Sequence, residues 1–134
     1  DGMARSMAKL AAAIDPGRVR LVTPTVDEYG LVNVPPSLFL FGFEGRSRTI
    51  AEAVWTDPIV REAKHGIERA STEDAVFHMW LHPSQLVTER DVRRVRTVLE
   101  LVDTYRRDAG LRVETMADVA RRIRQDREKT VQTG

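Results

Sequence analysis

Apolar and polar positions along the chain change period several times, and each change marks an element. Met3, Met7, Leu10, Ala11 and Ile14 fall on one stripe of an Ala-rich stretch, which predicts a helix over residues 3–14. Asp15, Pro16 and Gly17 stop it with turn chemistry. Arg18 to Val22 reads as a strand, closed by Thr23, Pro24 and Thr25. Residues 26–30 are a polar turn. Leu31 to Val34 reads as a second short strand, confined to an edge or ended by Pro35 and Pro36. Ser37 to Phe43 is strongly apolar and suits a strand or a packed loop.

A basic, polar connection over 45–49 and a helical turn over 50–55 lead to Thr56, Asp57 and Pro58. These form a helix start, with an oxygen-bearing cap before a proline at the first helical position. Ile59, Val60, Ala63, Ile67 and Ala70 then mark an amphipathic helix to about residue 70. Ser71 to Asp74 breaks it. Thr88 caps the next helix, with Asp91 placed for a capping box. Its expected buried stripe is Val92, Val95, Val98, Leu99, Val102 and Tyr105, and Gly110 is its stop. Leu111 to Val113 is expected as a short strand. Thr115 and Asp118 open a last helix with Met116, Val119, Ala120 and Ile123 facing inward. The charged tail is expected to fray beyond about residue 124. From residue 57 the order is helix, strand, long helix, strand, helix, which argues for an α/β fold with parallel strands.

The strand in that series is Val76 to His82, ended by Pro83. It holds two of the three histidines and one of the two tryptophans. Side chains alternate along a strand, so Phe77, Met79 and Leu81 share one face, and His78, Trp80 and His82 the other. The first face suits a core. The second is where function is expected.

Composition narrows the chemistry. The 134 residues suit one domain or part of one. Lys and Arg total 21 against 20 for Asp and Glu, a net charge of +1. That balance gives no electrostatic reason to expect nucleic acid or an anionic membrane. The chain has no cysteine, which removes disulfides and thiolate metal sites. No apolar run approaches the roughly 20 residues of a membrane span. The opening Asp1, Gly2, Met3 has no secretory-signal pattern, and the chain is expected to be a piece of a longer polypeptide.

His78 and His82 have the His-x-x-x-His spacing of a helical zinc pair. Strand-forming neighbours, Pro83 and the lack of an intervening glutamate argue against that reading. On a strand their Cα atoms lie roughly 13 Å apart, too far for one metal ion. They are either satisfied polar groups near a core or part of a site. His82 is the stronger candidate, at the C-terminal end of a strand and before a Pro-marked loop, where α/β sites are built. Trp55 and the row Phe39, Phe41 and Phe43 suit a core or a sugar-binding surface. Asp27, Glu28 and Tyr29 read as turn residues. Arg46 and Arg48 suit a solvated loop or contact with an acidic ligand, and Arg93, Arg94, Arg106 and Arg107 read as solubilising charge on exposed helix faces.

Several stretches in their order carry a resemblance. These are Gly66 to Ala70 (Gly-Ile-Glu-Arg-Ala), Val76 to Ser84 (Val-Phe-His-Met-Trp-Leu-His-Pro-Ser) and Leu111 to Ala120 (Leu-Arg-Val-Glu-Thr-Met-Ala-Asp-Val-Ala), preceded by Gly30 to Ser37. Together they resemble the C-terminal part of the polysaccharide deacetylases, the NodB-homology family of carbohydrate esterases. The resemblance implies the C-terminal portion of a distorted (β/α) barrel, with residues 1–134 forming a single partial domain. It implies removal of N-acetyl groups from sugar polymers by a metal-activated water, with zinc or another divalent metal as cofactor. It makes His82 the general acid that protonates the leaving amine, and puts Trp80, His78 and Pro83 at the substrate. The family's early Thr-Phe-Asp-Asp segment, its His-(Ser/Thr)-x-x-His metal pair and its middle Arg-x-Pro segment have no counterpart here. The expected partners are therefore a carbohydrate polymer and the missing N-terminal half of the barrel, or a second copy. Alone, the chain is expected to be inactive, and marginal, dimeric or aggregation-prone. The alternative is a non-catalytic carbohydrate-binding or interaction module on the same fold.

Overall fold

The computed structural model describes residues 19–42 and 57–132. The expected helix over 3–14, the turn over 50–55, Phe43, Arg46, Arg48 and Trp55 lie outside the described residues.

Strands β1 (Thr25–Val26) and β2 (Val32–Asn33) form an antiparallel hairpin. Its turn is built by Asp27, whose Oδ1 accepts from the Tyr29 and Leu31 amides at 2.9 and 2.8 Å. Gly30 closes the turn at φ +79°, a left-handed backbone that glycine adopts without steric cost. Pro35 and Pro36 lead into β3 (Leu38–Phe39), which pairs in parallel with β4 (Met79–Trp80). Val22 and Val76 make one antiparallel bridge beside this sheet. The ladder is shorter than the apolar run over 76–82, because β3 supplies only two pairing residues before the chain turns at Phe41 and Gly42.

Between the parallel strands comes helix α1 (Pro58–Ala70). Asp57 is its N-cap, accepting from the Ile59 amide at 3.0 Å, and Pro58 is its first residue. A 3₁₀ turn at Pro83–Gln85 follows β4. Helix α2 (Glu89–Asp108) starts on the Thr88–Asp91 capping box and ends before Gly110, whose φ is +67°. Helix α3 (Met116–Gln132) opens on the same device, with Thr115 and Asp118 exchanging bonds. It continues past residue 124 as exposed helix. The described residues thus make a mixed α/β structure, with a small parallel sheet and three helices.

The main core joins Leu38, Leu40 and Phe41 to Ile59, Ala63 and Ile67 of α1 and Val98 of α2. Gly66 lets α1 approach β4 closely, since a Cβ there would overlap the Phe77 ring. A smaller cluster holds Val22, Val34 and Val119. Three expectations are corrected. Leu111 to Val113 forms no strand, because its backbone bond runs from the Leu111 amide back to the Tyr105 carbonyl in α2 and not to a strand. The buried stripe of α2 is rotated by about one residue: Asp91, Arg94 and Val98 are buried, while Val92 and Leu99 are exposed. Met116 is also exposed, while Val119 of α3 turns inward as expected.

Candidate functional site

The alternation read from the sequence holds along β4 and its flanks. Phe77, Met79 and Leu81 pack against the main core. On the opposite face the Trp80 ring stacks on Phe39, with centroids 4.3 Å apart and planes at 25°. This contact follows from register, because Phe39 and Trp80 are paired residues of β3 and β4. His82 stands edge-on to Trp80 at 5.0 Å and to Phe39 at 6.1 Å. The three rings make one aromatic row, exposed at Trp80 and His82 and half-buried at Phe39, at the carboxyl ends of the two parallel strands, the flank on which α/β folds build sites.

Local structure after β4 fixes where His82 sits. Pro83 enters the 3₁₀ turn directly behind it, and the Gln85 amide donates to the His82 carbonyl at 3.0 Å. The Gln85 side-chain oxygen accepts from the His82 amide at 3.3 Å. The backbone of His82 is thus engaged on both sides while its imidazole reaches solvent. Pro83 is exposed and shapes the turn.

His78 is placed differently. Its Nδ1 lies 3.0 Å from the Val34 carbonyl and 3.2 Å from that of Pro35. Its amide donates to Ser37 Oγ at 3.1 Å, and its carbonyl accepts from the Ser37 and Leu38 amides. It fastens the β2–β3 connection to β4. The two histidines are therefore not brought together.

Arg94 departs most from the sequence reading. It is 3% exposed, not a solubilising charge. Its Nε donates to Asp57 Oδ2 at 2.6 Å, and one terminal nitrogen donates to the Leu40 carbonyl at 3.0 Å. Its guanidinium lies 5.5 Å from the centre of the Phe41 ring. The signal was its spacing: Arg94 lies four residues before Val98, one helical turn, and so shares its face. Arg106 and Arg107 are exposed as expected, both paired with Asp103.

A groove of about 800 Å³ lies elsewhere, lined by Phe77, Met79, Leu111, Val113 and Met116 among others. His78 borders it, but Trp80 and His82 do not. At its rim, Arg122 makes a two-pronged bond to Glu114 at 3.0 and 2.9 Å. That bond holds the Glu114 carboxyl below its ordinary pKa, against the smaller opposing effect of burial. No chemistry converges on this groove as it does on the aromatic row.

Among the described residues, no group of three or more His, Asp or Glu side chains is gathered to hold a metal ion. No described helix is long and apolar enough to cross a membrane. Comparison of the chain with known protein families, curated proteins and solved structures finds no match.

Proposed function

We propose that this chain is the late part of a metal-dependent polysaccharide deacetylase-like hydrolase, forming one side of a distorted (β/α) barrel. The observation that supports it is the row of Phe39, Trp80 and His82, with Trp80 and His82 exposed, at the ends of two parallel strands. In hydrolysis of an N-acetyl group, the tetrahedral intermediate collapses as its C–N bond breaks. The leaving nitrogen then takes a proton, and an imidazolium is suited to give it. His82 has that role here. Trp80, held flat on Phe39, offers an apolar wall to an acetyl methyl or to the C–H face of a sugar ring. Pro83 shapes the rim behind His82, and His78 holds the strand connection that carries the row.

The described residues do not fit the zinc site that the resemblance implies. The metal, its ligands and the general base therefore fall to the complementary half of the barrel. On this reading that half is supplied from outside the present residues, which alone are expected to be inactive. A second reading, a non-catalytic carbohydrate-binding module, is favoured by one observation: the stacked Trp80 and Phe39 platform is complete within this chain.

The test uses the full polypeptide of the reading frame, loaded with zinc and given an N-acetylated glycan polymer. His82→Ala should lower kcat by about 100-fold or more, the usual scale for a lost general acid, with substrate binding retained. An unchanged rate in His82→Ala, or deacetylation by the 134 residues in chelator, would overturn the hydrolase reading. Glycan binding that survives His82→Ala, without deacetylation by the full polypeptide, would establish the second.

A further inference from the structure

A chain of contacts runs from the buried corner of the molecule to the aromatic row. Asp57 uses one carboxylate oxygen to cap α1 and the other to accept from Arg94. Arg94, with its side chain 1% exposed, passes from α2 to the Leu40 carbonyl. The Leu40 amide in turn donates to the Trp80 carbonyl at 3.1 Å, the last bond joining the β3 exit to β4. Two residues beyond Trp80 comes His82.

A guanidinium this deeply buried must satisfy its donors, and Arg94 does so across the fold, on the Asp57 carboxylate and on the carbonyl at the exit of β3. A guanidinium does so because its fork can serve a carboxylate and a carbonyl at once, which an ammonium cannot do in the same geometry. We propose that Arg94 is a positioning residue for the aromatic row. By holding Leu40, it fixes the end of β3 against β4, and so sets the stacking of Trp80 on Phe39 and the edge-on approach of His82. Asp57 orients Arg94 and ties this geometry to the start of α1. The inference rests on the proposed reading only for the chemical use of the row. The geometry itself is tested without any activity, so the failure of one is distinguishable from the failure of the other.

Arg94→Lys keeps the charge beside Asp57 but loses the fork. In the full chain it should still melt cooperatively, yet lose most of the ring-current shift that Trp80 places on the His82 imidazole protons. Asp57→Asn, which keeps an oxygen to cap α1, should lose a smaller part of that shift. Val95→Ala, a neighbouring change on α2 that removes none of the Arg94 hydrogen bonds, should leave it intact. A wild-type shift in either folded variant, or an equal loss in Val95→Ala, would overturn the proposal. One measurement needs no variant. In the unsubstituted chain under mild denaturant, exchange of the Leu40 amide and loss of the His82 ring-current shift must follow one dependence. Separate transitions would also overturn it.

Discussion

The two apolar clusters hold different kinds of structure together. The main core gathers β3, its exit, α1 and α2, and its buried members include Ile59 and Ala63, both at 0% exposure. Phe39, Phe77, Met79 and Leu81 lean on it from the sheet. The smaller cluster has only Val22, Val34 and Val119, with Val32, Val76 and Ile123 beside them. It tethers the hairpin strand β2 to α3. The aromatic row belongs to the first cluster through Phe39. The groove lies along the boundary between the two, lined from both sides. A site with fixed geometry thus sits on the denser packing, and the sparser packing holds the periphery.

The largest expected effect tests that ranking directly. Ile67→Ala removes a side chain 2% exposed at the centre of the main core, and should cost about 4 kcal/mol. Val119→Ala, in the smaller cluster, should cost about 2 kcal/mol, since less apolar area is lost and the site can partly collapse. Urea unfolding measures both, and equal losses would erase the distinction between the clusters. Gly66→Ala comes next. Alanine gains about 1 kcal/mol in helix propensity. The overlap with Phe77 forces that ring out of the core, at a cost of up to about 3 kcal/mol. The net loss should be about 2 kcal/mol by the same measurement, and a stabilised Gly66→Ala would mean that Phe77 is not locked between α1 and β4.

The smallest effect lies in the groove rim. The Glu114 carboxyl is held below its ordinary pKa, chiefly by the bond from Arg122. A carboxyl depressed on folding contributes stability that is complete above its unfolded pKa, about 4.3, and is lost as pH falls through the lower folded value. Tm should therefore drop on acidification below about pH 4.5. Glu114→Gln should lower stability slightly at pH 7, by less than about 1 kcal/mol, and flatten the acid limb of Tm. An acid limb unchanged in Glu114→Gln would assign the acid sensitivity to the other lowered carboxyls, Glu73, Asp103 and Asp118.

What the sequence made legible was local. Asp57 with Pro58, Thr88 with Asp91, and Thr115 with Asp118 are caps whose partners lie within three residues, so the pattern states the structure. The two faces of β4 were legible because a period of two survives even where the ladder is short. The strand expected over Leu111 to Val113 needs a partner that the pattern cannot supply, and the alternation alone did not produce one. Arg94 was misread for a related reason. Its charge is satisfied by Asp57, 37 positions away, and the one nearby sign of burial is its four-residue spacing from Val98. The stripe of α2 was drawn through valines and leucines, whereas its buried positions also include Asp91, bound to Thr88, and Arg94, bound to Asp57.

The bond from His78 to two carbonyls has a consequence for proton bookkeeping. Carbonyl oxygens only accept, so Nδ1 of His78 carries a hydrogen whether the ring is neutral or charged. Its tautomer is set by the backbone of the β2–β3 connection, and nitrogen chemical shifts should report the Nδ1–H form alone. His82, four residues on, has no described carbonyl dictating its tautomer. One short stretch thus holds an imidazole with an assigned proton and another free to exchange its own with whatever lies against it.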